Sequence, residues 1–94
     1  MKIRLGRTVI TPGALALAES GAFAHAALLA RHERGDWGEV PPEDVEANED
    51  ALVNGDRLMS VYPVKLDDSW QWVKIWVITE ADRSVTTILL PDEY

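Results

Sequence analysis

His32, Arg57, Arg83, Thr86 and Thr87 are the residue types that could cleave RNA. A histidine would serve as base, an arginine would stabilise charge on the scissile phosphate, and strand hydroxyls such as Thr79 would position it. Small ribonuclease toxins place a helical base beside a sheet bearing arginines and hydroxyls. The competing expectation makes Arg83 a turn residue paired with Glu80 or Asp82, and the threonines ordinary strand residues. Within "HERGDWG", His32 could also reach Asp36 as an oriented base. The structural alternative for that stretch is a helix end at Gly35, a turn at Asp36 and a gap filled by Trp37.

His25 and His32 stand seven residues apart, about 10 Å along a helix. Ligands to one ion lie about 2 Å from it, so this pair does not share a centre. No D-x-D-x-D-G spacing offers a calcium loop, and there is no cysteine. The expectation is therefore no metal and no cofactor. Without cysteine, disulfides and thiolate zinc sites are excluded, and a cytoplasmic location is the default expectation.

Charge is the stronger signal. The 94 residues carry a net charge of −7, unevenly placed. Residues 1–34 sum to +3, residues 35–56 to −8 with no basic side chain, and residues 57–94 to −2. Such a balance argues against nucleic acid as a substrate, which needs a clustered basic patch. It favours a basic partner surface instead. Asp36, Glu39, Glu43, Glu46 and Asp50 are the candidate contacts. Glu43, Glu46 and Asp50 return to one helical face and meet no cation on their own helix. Such carboxylates can imitate a phosphate row and occupy a basic groove. The plain alternative is a solvated helix face.

The elements that must position these groups are legible. Ninety-four residues make a single domain, 1–94. No run approaches a membrane span, and no apolar segment follows the basic start "MKIRLGRTVITPG", so no signal peptide is expected. "KIRLGRTVIT" predicts a first strand. "TPG" opens a helix Pro12–Glu19, with Thr11 as N-cap and Pro12 at N1. A second helix is expected from Ala22 to Arg34, and a third over "PEDVEANEDALVNG", begun by Pro42 and closed by Asn54-Gly55. "RLMSVYPV" predicts a strand in which Pro63 marks a strand end or a sheet edge. "LDDS" is a turn. "WQWVKIWVITE" predicts a central strand with Val73, Ile75, Val77 and Thr79 on one face and Trp70, Trp72, Trp76 and Ile78 on the other. "EADRS" turns into a last strand, "VTTILLP". The fold class is α+β: a small antiparallel sheet of three to four strands, two to three helices on one face, order β-ααα-βββ.

At "RHERGDWGE", "NEDALVNGDRLMSVY" and "KIWVITEADRSVTTILLPDEY" the chain resembles a family of small "plasmid-related" proteins encoded on plasmids, phages and other mobile elements. The resemblance runs from "TPGAL" to "LLPDEY". The segment "DDSWQWV" is longer than that family's usual connection. The resemblance implies no activity. It implies a setting in which small acidic proteins act as counter-defence factors, of the anti-CRISPR or anti-restriction type.

The leading expectation is therefore an acidic, non-enzymatic binding protein that blocks a basic, nucleic-acid-binding surface of a host defence complex. The alternative is a small ribonuclease built on His32 and Arg83. A third expectation is a homodimer through Trp70, Trp72 and Trp76, whose indoles would leave an apolar patch in need of a cover.

Overall fold

The computed structural model describes residues 3–66 and 70–94. Lys2 of the expected first strand, and residues 67–69 of the expected "LDDS" turn, lie outside the described residues. The chain is α+β and follows the order β-ααα-βββ. The elements are β1 (Arg7–Ile10), α1 (Pro12–Glu19), α2 (His25–Glu33), α3 (Pro42–Asn54), β2 (Leu58–Lys65), β3 (Trp72–Thr79) and β4 (Val85–Leu89), then a 3-10 turn at Pro91–Glu93.

The sheet order is β1-β4-β3-β2. β2–β3 and β3–β4 pair antiparallel, while β1 pairs with β4 in parallel, Thr8 opposite Thr86 and Ile10 opposite Ile88. The sheet is thus mixed where a wholly antiparallel one was expected. The reason lies at the shared end of β1 and β4. Thr11 N–H donates to the Ile88 carbonyl at 3.0 Å, so α1 begins where β4 finishes and β1 must run in β4's direction. The intervening helices and hairpin supply the long connection a parallel pair needs. β1 is also shorter than expected. Gly6 has φ +65, and a side chain there would collide with the Arg83 and Ser84 carbonyls, so the chain turns at Gly6 against the β3–β4 turn.

Tyr62, Val64, Ile75, Val77 and Ile88 point to one face, where Ala14 and Leu17 of α1 and Leu28 and Leu29 of α2 cover them. α2 starts at His25, three residues later than expected, and the preceding Phe23 packs into this core. A second cluster joins Ile3, Trp37, Ala51 and Leu58 under α3. Pro42 begins α3, and Gly55 ends it in the left-handed conformation.

β2 is an edge strand, and its start is closed by other parts of the chain. Asn48 of α3 accepts from Met59 N–H at 3.1 Å and donates to Met59 O at 2.8 Å. Val61 N–H donates to Trp37 O, and Val61 O accepts from Glu39 N–H at 2.7 Å. Gly38, at φ +73, has no room for a Cβ beside the Val61 carbonyl. Pro63 lacks the next N–H.

The three indoles expected on one strand face do not form one stripe. β3 begins at Trp72, and Trp70 stands before it in a bend, 88% exposed, with Lys65 Nζ 4.7 Å from its ring centre. Trp76 is half-buried and meets Tyr94 edge-on at 5.7 Å. Trp72 is 62% exposed.

Candidate functional site

His32 sits on the inward side of α2 and is 0% exposed. Its partners are side chains of the sheet. Nδ1 lies 2.6 Å from Ser60 Oγ, and Nε2 lies 2.8 Å from Thr79 Oγ1. Thr79 Oγ1 is 2.7 Å from Thr86 Oγ1, and Thr86 donates to the Leu5 carbonyl at 2.7 Å. The carbonyl at the end of the chain orders every proton. A carbonyl only accepts, so Thr86 gives its one hydroxyl proton to Leu5. Thr79 must then donate to Thr86, and Nε2–H must donate to Thr79. Nδ1 is left as an acceptor, and the Ser60 hydroxyl fills it. The network is complete with a neutral imidazole protonated at Nε2.

Burial, with the Arg83 charge adding to it, lowers the His32 pKa to about 4. The ring packs edge-on against Trp37 at 5.7 Å. His32 does not bond to Asp36, whose carboxylate instead accepts from Arg31 Nε at 2.7 Å and lies 3.9 Å from Arg34. A base must reach the proton it abstracts. A sealed ring with both nitrogens engaged meets no phosphate in this conformation.

Arg83 lies near enough for its charge to act on His32, yet its guanidinium is turned to the backbone. It donates to Asp56 O at 2.6 Å, Glu80 O at 3.1 Å, Ala81 O at 3.3 Å and Ala51 O at 3.2 Å. Ala51 O belongs to the last turn of α3, so Arg83 caps that helix from the β3–β4 turn. The expected pairing with Glu80 or Asp82 carboxylates is replaced by these carbonyls. Glu80 lies 3.8 Å from Arg57, and the Arg57 guanidinium stacks over Tyr94. Thr86 is buried in the network, while Thr87 is half-buried on the opposite face. The structure therefore brings His32, Thr79 and Thr86 together as core, and leaves Arg57 and Thr87 elsewhere.

The acidic candidates have a different environment. Glu39, Glu43, Glu46 and Asp50 are exposed. Among the described residues, the ion pairs are Arg31–Asp36, Arg34–Asp36 and Arg57–Glu80, so no cation neutralises an α3 carboxylate. Asp36 differs from the rest: its arginine neighbours hold its pKa below the usual carboxylate range, the Arg31 hydrogen bond foremost. Glu49 accepts from Trp37 Nε1 at 3.3 Å. His25 is exposed at the start of α2. Among the described residues, no group of three or more His, Asp or Glu side chains could hold a metal ion. No helix among them is long and apolar enough to cross a membrane.

Sequence reasoning grouped Thr79 and Thr86 with His32 as a cleavage site, but missed Ser60 and the buried network that the three hydroxyls form around the ring. A signal exists in hindsight of the pairing: Ser60, Thr79 and Thr86 fall at inward positions of three adjacent strands, where an apolar residue is the norm. It also missed Glu93, whose carboxylate accepts from Thr11 Oγ1 at 2.5 Å, Gly13 N–H at 2.8 Å and Leu90 N–H at 3.0 Å. These bonds hold its pKa below the usual range, the Thr11 hydroxyl foremost. No family model, curated protein or solved structure matches the chain.

Proposed function

We propose that the chain is an acidic, non-enzymatic binding protein that presents α3 to a basic, nucleic-acid-binding surface of another protein. The observation that carries this reading is the unneutralised row of carboxylates on α3. Thirteen residues of helix span about 20 Å. Glu43, Glu46 and Asp50 share one face and span about 10 Å of axis, one charge per about 5 Å, with Asp44 and Glu49 to either side. A single nucleic-acid strand carries one per about 3.4 Å. Glu39 extends the row into the preceding loop. Asp36 is withdrawn from it by Arg31 and Arg34. The resemblance to mobile-element proteins points to a host defence complex as the owner of the basic surface, which the chain would block as a counter-defence inhibitor.

The test is affinity capture from the source organism with two baits, the wild-type chain and the Glu43→Lys, Glu46→Lys, Asp50→Lys variant. The wild-type bait is expected to retain a nucleic-acid-binding protein that added duplex DNA or RNA displaces. The reversed bait, with unchanged circular dichroism, is expected to lose it, since like charge then meets the basic groove. Retention by both baits, or no displacement by nucleic acid, refutes the reading.

A further inference from the structure

The sheet is ragged at one end. β2 and β3 are eight residues each, and β4 is five. β4 ends with Leu89 opposite Trp76, so Trp72–Ile75 of β3 extend beyond it with β2 on one side only. The register fixes which backbone groups are left over. Glu80 N–H bonds to Val85 O across the β4 side. In an antiparallel strand alternate residues point the same way, so Ile78, Trp76, Lys74 and Trp72 direct N–H and C=O toward β4. For Trp76 and Ile78 the strand is there. For Trp72 and Lys74 it has ended, and Pro91, which stands next in line, has no N–H to give. A groove of about 390 Å³, lined by Val73, Lys74, Leu90, Pro91 and Asp92, runs along this vacant side. The opposite edge of the hairpin is blocked at Pro63; on this side the 3-10 turn at Pro91–Glu93 comes near β3, and among the described residues no further strand pairs with Trp72 and Lys74. A bare edge of this kind is a template for another strand.

We propose that the occupant is a second copy of the chain, its β3 adding antiparallel to this β3 about a two-fold axis at Val73. Three features of the stretch are self-complementary. In that register Trp72 and Lys74 of each copy face Lys74 and Trp72 of the other, and all their vacant N–H and C=O groups pair. On the outer face each indole, already 62% exposed, lies beside the other copy's ammonium, which gives two cation–π contacts. On the inner face Val73 meets Val73 beside Leu90, apolar against apolar.

Net charge does not oppose the contact. α3 packs at the far end of β2, where Asn48 holds Met59. Six residues of strand separate Val73 from Thr79, about 20 Å, so the two acidic helices lie about 40 Å apart in the dimer. That is several times the ~8 Å Debye length of physiological salt. Among the described residues, the charged side chains at this end are Lys65 and Lys74, with Asp92 at the groove. The contact is small and belongs to the weak, concentration-dependent class. It leaves α3 free, one acidic face at each end.

Sedimentation equilibrium over a micromolar to near-millimolar series tests this. The wild-type chain is expected to move from monomer to dimer. Lys74→Pro removes one N–H that the monomer does not use and leaves the β2–β3 ladder intact, so it is expected to be a folded monomer throughout. Trp72→Glu, a change at an exposed position, should give the same result if the proline variant does not fold. Amide exchange supplies an independent reading: Trp72 and Lys74 N–H should slow at high concentration. A wild-type chain that stays monomeric across the series overturns the proposal. So does a dimer that survives in either folded variant.

Discussion

His32 ties stability to pH in a predictable direction. In the folded chain its pKa is about 4, because burial disfavours the cation and Arg83 adds to the penalty. In the unfolded chain it returns to about 6.5. The unfolded state therefore binds the proton more readily, and stability falls as pH drops from about 6.5 toward 4. The full gap of about 2.5 pH units corresponds to about 3.4 kcal/mol. At pH 4.5 the unfolded imidazole is almost wholly protonated and the folded one about a quarter so, which leaves a loss of about 2.5 kcal/mol. Against a typical domain stability of about 5–15 kcal/mol, that is a large fraction. The geometry explains why the cation is refused: a second ring proton would arrive at Nδ1, where the Ser60 hydroxyl already points its own.

Urea unfolding at about pH 7 and about pH 4.5 measures the loss in wild type and in His32→Gln, whose amide does not titrate and retains a donor toward Thr79. Asp36, Asp82 and Glu93 have pKa values below the usual carboxylate range, so their contributions fade only toward lower pH. They are common to both proteins and cancel in the difference. The wild type should lose about 2.5 kcal/mol more than the variant between these conditions. Equal losses, or an imidazole that titrates near 6.5 by NMR in the folded protein, would refute the sealed-network account.

Two more outcomes follow from single contacts. Arg83 sits at φ +60, outside the range side chains prefer, so Arg83→Ala keeps that strain and loses the four carbonyl bonds, whereas Arg83→Gly loses only the bonds; urea midpoints should place the alanine variant about 1 kcal/mol below the glycine one, and both should raise the His32 pKa by removing a nearby charge. Gly13 lies in α1 where alanine normally adds about 1 kcal/mol, but a Cβ there would stand 2.8 Å from Glu93 Oε2 and from Leu90 Cδ1; Gly13→Ala should therefore be more favourable in a Glu93→Ala background than in wild type, with the Leu90 contact still reducing the gain, and additive effects in the four-variant cycle would show that Glu93 does not depend on the glycine.

Local signals in the chain reach some of this architecture and not the rest. Pro12, Pro42 and Gly55 mark helix ends through backbone restrictions that act within one turn. Pro63 marks an edge because a missing N–H matters only there. The direction of β1 is not local. It depends on Thr11 meeting Ile88 across most of the chain, and no periodicity encodes that. The His32 site was visible in part. His32 follows Leu28 by four residues and so shares its inward side of α2, but its neutral state depends on Ser60, Thr79 and Thr86, whose shared face shows only once the strand order is known. Glu93 and Gly13 stand 80 residues apart, and neither residue alone suggests the other. The row on α3 was readable because helical spacing and burial of one side are both local properties. The withdrawal of Asp36 was not, since Arg31 meets it only through the loop that follows α2.

What holds α3 in place bears on how it can be used. Its apolar attachment is slight: Ala51 is buried and Leu52 partly so, while Val45 is 38% and Val53 86% exposed. Five carboxylates along a helix repel one another, and like charges at i, i+3 or i+4 each cost a few tenths of a kcal/mol. Polar bonds offset this. Asn48, 5% exposed, makes two bonds to Met59, and Arg83 takes the Ala51 carbonyl. Charge is also matched to the helix dipole, with Glu43 and Asp44 in the first turn and the Arg83 guanidinium at the last. Directional bonds fix an orientation where a small apolar contact would let the helix slide. The acidic row is therefore held at a set angle to the sheet, by residues that do not themselves contribute to it. Under the proposed reading, a partner would meet a preorganised array and need not order it on binding.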